Sequence, residues 1–267
     1  RGKIGVNLPT FNEYVRCFKN AEIVEIDNSK NDYQLSIDCI KEAIDSCDTV
    51  AIINPENPSG CMLDKDEIIS ILEYAKKKDV QIIVDESFID FATKERRYTL
   101  LDNKILETYP NLIVIKSISK SFGVPGLRLG VLASSNTSLL ALIKEDMQVW
   151  NINSFAEYYL QTYNLFAKSY LDACDKIAEE RKYMIESVRE IKSIKVYDAD
   201  ANDDMIDLKE HDSYKFVIEM LDKYNILIKD LSSKNHFDHK NFIRVAVRDR
   251  NDNELLIKGK IESIIYR

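Results

Sequence analysis

The sequence predicts an α/β protein in which a mostly parallel sheet, covered by helices on both faces, is followed by a smaller α+β unit. Three observations predict it. Short β-branched runs alternate with amphipathic segments through the first two-thirds of the 267 residues, the rhythm of strand–helix–strand units whose crossovers cover a parallel sheet. Over residues 153–191 the pattern turns wholly helical and long, as expected where a chain leaves one domain and enters another. Short strands and two helical segments then alternate towards the C-terminus. The expected division is a large domain over 1–165 and a small α+β domain over 166–267.

In chain order, "AEIVEID" (21–27) reads as a strand and "SIDCIKEAIDSC" (36–47) as a helix with apolar residues three and four apart. "TVAIIN" (49–54) is a buried strand. "DKDEIISILEYAKKK" (64–78) is a helix with Asp64 as N-cap and lysines 76–78 in its last turn, where the helix dipole favours them. "VQIIVDES" (80–87), "NLIVIKS" (111–117) and "LRLGVLAS" (127–134) are the next strands. Beyond the long helical stretch, "SIKVYDA", "DMIDLKE", "YKFVIEMLDKY", "NILIKDL", "NFIRVAVRD" and "DNELLIKGKIESII" make short strands packed on two helices. The acidic span 198–212 is expected to be a loop between strands.

Composition narrows the function classes. With 45% apolar residues the chain buries a substantial core, and with net charge −8 and pI near 5.1 no face is broadly basic, which argues against nucleic acid as a partner. No apolar stretch reaches the ~18 to 20 residues of a membrane span, and "RGKIGVNLPTFNEY" lacks the apolar centre of a signal peptide. The expectation is a cytoplasmic protein. Its five cysteines form an odd set without a CxxC pair, so buried free thiols are expected rather than bridges or a zinc site. His236 and His239 flank Asp238 in "NHFDH". Lacking a strong fourth ligand, that cluster reads as a solvated loop, and no metal is expected.

Three predicted strands end in polar residues that converge at the carboxyl edge of a parallel sheet, where open α/β folds bind ligands. "NPENPSG" (54–60) is a rigid turn whose prolines fix φ and whose glycine allows the left-handed conformation, so that Asn54 or Asn57 is held in one orientation. Asp85 follows an apolar run, and a buried carboxylate there calls for a cation or donors. Lys120 lies just past a buried strand, a position for a nucleophilic amine, and Arg128, between Gly126 and Gly130, offers a donor fork to an anion such as phosphate. An amine for a Schiff base, a carboxylate, an oriented amide and a phosphate clamp are together what pyridoxal phosphate requires.

"NPENPSG", "VDESF" and "SISKSFGVPGLRLG", in that order and at these separations, resemble the class I/II aminotransferases of fold type I, nearest to histidinol-phosphate aminotransferase and the threonine-phosphate decarboxylase branch. The likeness spans essentially the whole chain, from "PTFNEY" (9–14) to "FIRVAVRDRNDNELL" (242–256). It implies that Lys120 forms the Schiff base and shuttles the proton, that Asp85 pairs with the pyridine nitrogen, and that Asn57 bonds the ring hydroxyl oxygen. It further implies that Ser117 and Arg128 hold the cofactor phosphate, that Phe11 lies against the ring, and that Arg244 clamps the substrate carboxylate. "QVWNINSF" (148–155), by the same resemblance, lines the substrate pocket through Trp150 and Asn153, although Trp150 reads equally as an interface or core aromatic.

Three departures stand out. Phe88 occupies the place of a tyrosine that donates to the ring hydroxyl oxygen, and "DESFIDF" (85–91) is nearer the decarboxylase branch. Lys229 stands where relatives tend to carry an arginine near the distal phosphate of the substrate. The family's small-residue turn for the cofactor phosphate, and a partner-subunit tyrosine, belong upstream of "PTFNEY", where only eight residues precede it. The expectation is a C-terminal portion of a longer protein carrying a further N-terminal domain, or an incomplete cofactor site. The activity implied is transfer of an amino group between a small amino acid or amino alcohol, phosphorylated or not, and a 2-oxo acid acceptor. A phospho-amino acid decarboxylase is the alternative, and a non-catalytic pyridoxal-phosphate-binding regulatory module is the reading of another class. By analogy with relatives the protein is expected to be a homodimer.

Overall fold

The computed structural model describes residues 2–237, 240–257 and 261. The chain opens with a strand the sequence pattern concealed, β1 (Lys3–Leu8), because Gly5 and Asn7 interrupt its apolar run. Asn7 is nevertheless fully buried, its side-chain amide donating to Asn28 Oδ1 at 3.2 Å. Helix α1 (Asn12–Cys17), β2 (Glu22–Asp27), α2 (Ile37–Ile44), β3 (Thr49–Ile53), α3 (Lys65–Lys78), β4 (Gln81–Asp85), α4 (Asn103–Thr108), β5 (Leu112–Ser117), β6 (Gly130–Ala133) and α5 (Thr137–Asp146) complete the first layer set. The sheet order is β2-β1-β3-β4-β5-β6, with the first five strands parallel and β6 antiparallel to β5. The predicted mostly parallel sheet is therefore present.

Its helices form for the reasons the sequence carries. Ser36 caps α2, its hydroxyl accepting from Cys39 N at 3.3 Å, and the apolar stripe Ile40, Ala43, Ile44 turns inward. At the start of α3 the Asp64 amide donates to Glu67 Oε2 at 2.7 Å, and Ile68, Ile71, Leu72 and Ala75 are buried against Val50, Ile52, Ile82 and Val114 of the sheet. Each isoleucine or leucine so removed from water contributes about 1.5 to 3 kcal/mol. The lysines at the end of α3 serve structure: Lys76 Nζ donates to Thr108 O at 2.8 Å and Lys78 pairs with Asp45 at 2.7 Å.

Two helices, α6 (Ser154–Thr162) and α7 (Ala167–Arg189), lead to a second sheet. It comprises β7 (Lys195–Val196), β8 (Asp203–Asp207), β9 (Lys229–Asp230) and β10 (Phe242–Ala246) in the antiparallel order β7-β8-β10-β9, covered by α7, α8 (Ser213–Tyr224) and α9 (Arg250–Leu256). The rest of the predicted C-terminal helical segment falls largely outside the described residues. Arg181 of α7 is buried and donates to Phe91 O at 2.7 Å and Ala201 O at 2.8 Å, tying the turn after β4 to the loop before β8. Burial lowers its pKa, the expected cost of a desolvated cation.

Several expectations need correction. The acidic span 198–212 is not a loop throughout, since β8 runs through it with every residue buried. Arg244 reaches Asp203 and Lys209 reaches Asp207, whereas neither oxygen of the fully buried Asp204 has a hydrogen-bond partner among the described residues and burial pushes its carboxyl well up. "NILIKDL" supplies only the two-residue β9. All five cysteines are free, but Cys17 and Cys39 are exposed. His236 is not solvated: its Nε2 and Nδ1 lie 3.1 Å from Glu25 and from Asp27 of β2, while Asp238 and His239 lie outside the described residues. Among the described residues no helix is long and apolar enough to cross a membrane.

Candidate active site

Parallel pairing brings the ends of β3, β4 and β5 level, with Ile53 opposite Asp85 and Asp85 opposite Ile115. The polar segments that follow these strands therefore meet at one edge. A cleft of about 570 Å³ opens there, lined by Phe11, Asn57, Asp85, Ser117, Lys120 and Arg128. A second cavity of about 380 Å³ shares Asn57, Phe88 and Lys120 with it and adds Asp203, Lys229 and Arg244 from the second sheet.

The turn 54–60 separates the roles of its two asparagines. Asn54 is consumed in holding the turn, accepting from Leu63 N at 2.8 Å and donating to Leu63 O at 3.1 Å. Asn57 is the one that faces the cleft, where its Oδ1 accepts from Arg244 Nη1 at 2.6 Å and its NH2 is left to donate. Gly60 has φ +72°, and a Cβ there would lie 2.4 Å from Ala199 Cβ, so both conformation and packing require glycine. Glu56 is buried beneath the turn and accepts from Ser59 N at 3.0 Å and Ser59 Oγ at 2.8 Å, yet burial pushes its carboxyl up to about 7.

Asp85 is half-buried and held through both oxygens. Tyr14, on α1, donates its hydroxyl to Oδ2 at 2.5 Å, and Ser87 donates to Oδ1 from its amide at 2.8 Å and also from its hydroxyl. The Ser87 hydroxyl in turn accepts from Ser117 N at 2.9 Å, so β4 and β5 are cross-linked where they enter the cleft. Burial, then the neighbouring Asp85, push the Tyr14 phenol far above its ordinary value, which keeps it a donor.

Lys120 is exposed to the cleft with Nζ 5.1 Å from the centre of the Phe88 ring and 6.0 Å from that of Phe11. Both rings present π faces at cation–π distance. Arg128 is exposed beside it, donating to Pro125 O at 3.1 Å. The left-handed residues of this segment are Gly123 and Arg128 itself, whereas a Cβ on Gly126 would meet nothing within 4 Å. The glycines thus do less here than their clustering suggests.

On the other side, Lys229 and Arg244 are register partners on β9 and β10. Arg244 Nε lies 3.2 Å from Asp203 Oδ2. Burial pushes the Asp203 carboxyl up to about 6, against the opposing pull of Arg244 and Lys120. Trp150 and Asn153 do not line either cavity: Trp150 is 92% exposed, and Asn153 caps α6 through Ala156 N at 3.0 Å while donating to Leu127 O at 3.0 Å. Four residues of the site were not found from the sequence. Tyr14 had a signal, lying one helical turn after Phe11, and Ser119 lies next to Lys120; Ser87 and Asp203 carry no pattern that marks them.

The residues present fit pyridoxal 5'-phosphate. An amine, a carboxylate with fixed orientation, an amide, an aromatic face, and Arg128 with the hydroxyls of Ser117 and Ser119 line one cleft of the size small-molecule sites occupy. Residues 2–259 match the family model described as aminotransferase class I and II. The chain is 34% identical over 270 residues to L-serine phosphate decarboxylase of Campylobacter jejuni, covering 96% of this chain and 67% of that protein. Among solved structures, a decarboxylase from Sulfurospirillum multivorans aligns with TM-score 0.87 and 31% identity over 98% of this chain and 75% of the other. Histidinol-phosphate aminotransferase from Clostridium acetobutylicum aligns with TM-score 0.89 and 28% identity over 99% and 78%. The chain belongs to the class I and II aminotransferase family, pyridoxal-phosphate-dependent enzymes of fold type I.

Proposed function

We propose that this chain is a decarboxylase of a small O-phosphorylated amino acid, with L-serine phosphate as first candidate. The observation that carries the reading is the pair Arg244 and Lys229, neighbours on β10 and β9 that open into the cavity reached by Lys120. They offer two cationic seats to a substrate with two anionic ends, a guanidinium fork for the carboxylate and a point charge for the phosphate. Similarity to L-serine phosphate decarboxylases supports decarboxylation over the transamination that the motifs alone suggested.

Pyridoxal phosphate, when bound, supplies an electron sink for the pair released at the substrate Cα. Asp85 would hold the proton at the ring nitrogen, Phe11 would lie against the ring, and the Asn57 amide would donate to the ring hydroxyl oxygen. Ser117, Ser119 and Arg128 would bind the cofactor phosphate. Arg244 and Lys229 fix the two ends of the substrate and so choose which bond at Cα is set to break. Lys120 Nζ delivers the proton that replaces the departing carboxylate. Because Phe88 donates no hydrogen bond, Phe88→Tyr is expected to lower, by roughly one unit, the pH at which the bound cofactor's visible absorption changes. Identical titrations for the two proteins would count against that role.

The reading is tested by incubating the cofactor-loaded protein with L-serine phosphate. Carbon dioxide and ethanolamine phosphate should appear in equal amounts. Release of a keto acid instead, dependent on a 2-oxo acid acceptor, would assign transamination, and a visible band that no amino acid alters would assign a non-catalytic module. A homodimer in a reducing cytoplasm belongs to the same proposal. Val149, Trp150 and Phe155, 93%, 92% and 80% exposed, support an interface there. Light scattering should give twice the mass of the chain, and Trp150→Glu with Phe155→Glu should give the monomer.

A further inference from the structure

A guanidinium that receives a carboxylate is ordinarily flanked by donors, yet here a second carboxylate stands beside it. Asp203 opens β8 with its side chain 9% exposed and its Oδ2 3.2 Å from Arg244 Nε. Its Oδ1 is buried and has no hydrogen-bond partner among the described residues. Both residues line the cavity that Lys120 and Lys229 also line. Arg244 Nη1 is bound to Asn57 Oδ1, so with Nε taken by Asp203 the fork receives a ligand through what remains of its Nη face.

Resting on the decarboxylase reading, with Arg244 as the seat of the substrate carboxylate, we propose that Asp203 determines the reaction. Its charge, held against Arg244, opposes the substrate carboxylate and favours its loss as neutral carbon dioxide. The bond between Cα and the carboxylate carbon breaks and leaves its electron pair at Cα. A proton from solvent, passed by Lys120 Nζ, forms the new Cα–H bond, so that amino acid plus one proton becomes amine plus carbon dioxide. Repulsion between two carboxylates acts on the charged ground state and vanishes as the charge leaves, and only such differential interactions accelerate a step. The groups facing Asp203 are Arg244 from β10, Lys229 from β9, Lys120 after β5, Lys234 with Glu56 behind it, and the adjacent Asp204. Burial pushes its carboxyl up to about 6 against the opposing pull of Arg244, Lys120 and Lys234, which leaves it charged above that pH.

The competing role is that Asp203 only orients Arg244, and the two roles differ in sign. Two unreactive ligands separate them: 3-phosphonooxypropanoate, which has the phosphate and carboxylate of L-serine phosphate but no amine, and ethyl phosphate, which lacks the carboxylate. Calorimetry on the cofactor-loaded enzyme is expected to show Asp203→Asn binding the carboxylate-bearing ligand about tenfold more tightly than wild type, with ethyl phosphate unchanged within about twofold. For L-serine phosphate, kcat and KM should both fall, as when ground-state strain is removed. Should Asp203→Asn not fold, the wild-type protein carries the test. Lowering the pH through about 6 should raise the affinity ratio of the same two ligands, whose phosphates titrate alike. An unchanged ratio, or a weaker carboxylate ligand in Asp203→Asn, overturns the inference. If wild type releases no carbon dioxide, the decarboxylase reading fails instead; carbon dioxide with an unmoved ratio sinks the inference alone.

Discussion

Lys120→Ala should lower carbon dioxide release from L-serine phosphate by about 10⁴-fold or more, the upper range for removal of a positioned proton-transfer group. The amine stands where the two cavities join, 5.1 Å from the Phe88 ring centre and 6.0 Å from that of Phe11, so it reaches both the cofactor cleft and the space in front of Arg244. Among the described residues no other lysine lines both cavities. Lys116 lines the cofactor cleft, but its Nζ is paired with Asp90 at 2.7 Å, and Lys229 lies on the substrate side. Borohydride treatment followed by mass spectrometry provides a second readout. Wild type should gain the mass of one reduced cofactor on Lys120, and the variant none. A variant that keeps activity within tenfold of wild type, or that is labelled elsewhere, would remove Lys120 from the centre of the site.

The large sheet was legible because its strands are apolar runs bounded by turns, the signal that burial on both faces leaves. What was lost follows from the same rule. Gly5 and Asn7 break the run in β1, and Asn7 is buried only because Asn28, far along the chain, pairs with it. β8 sits in a charge run, three of its five residues being aspartates, and although "DMIDLKE" marks a strand there, nothing local shows that Arg244 of β10 meets Asp203. Local patterns register burial, and they do not register a partner supplied from elsewhere.

The site shows the same limit. Lys120, Asp85 and Arg128 could be picked out because each follows a recognisable strand or turn. The choice of Asn57 over Asn54 came from the resemblance alone, since it depends on which side chain closes the turn onto Leu63. Trp150 and Asn153 were carried by resemblance, but Asn153 is held as a helix cap and Trp150 stands in solvent. The left-handed turn of this segment falls on Arg128 itself rather than on Gly126 or Gly130 beside it.

Asp85→Ala is expected to lower kcat by roughly 10³-fold, the upper end of what removing one preorganised electrostatic group costs. Three donors, from Tyr14 and from the amide and hydroxyl of Ser87, already bind its oxygens. Held through both oxygens, the carboxylate keeps one orientation at the end of β4. A carboxylate fixed there would pair with the ring nitrogen of pyridoxal phosphate and favour its protonated form, which would strengthen the electron sink that the cofactor supplies. Tyr14→Phe removes one of the three donors and leaves the charge, so its effect should be about tenfold, the worth of one hydrogen bond to a charged group. The two variants also separate in spectrum: loss of Asp85 should alter the bound cofactor's visible absorption at every pH, whereas loss of Tyr14 should only displace its titration. Equal, small losses in both would mean that Asp85 acts on the packing of β4 and β5 through Ser87 and Ser117 rather than on the cofactor, and thermal melting would then show both variants destabilised together.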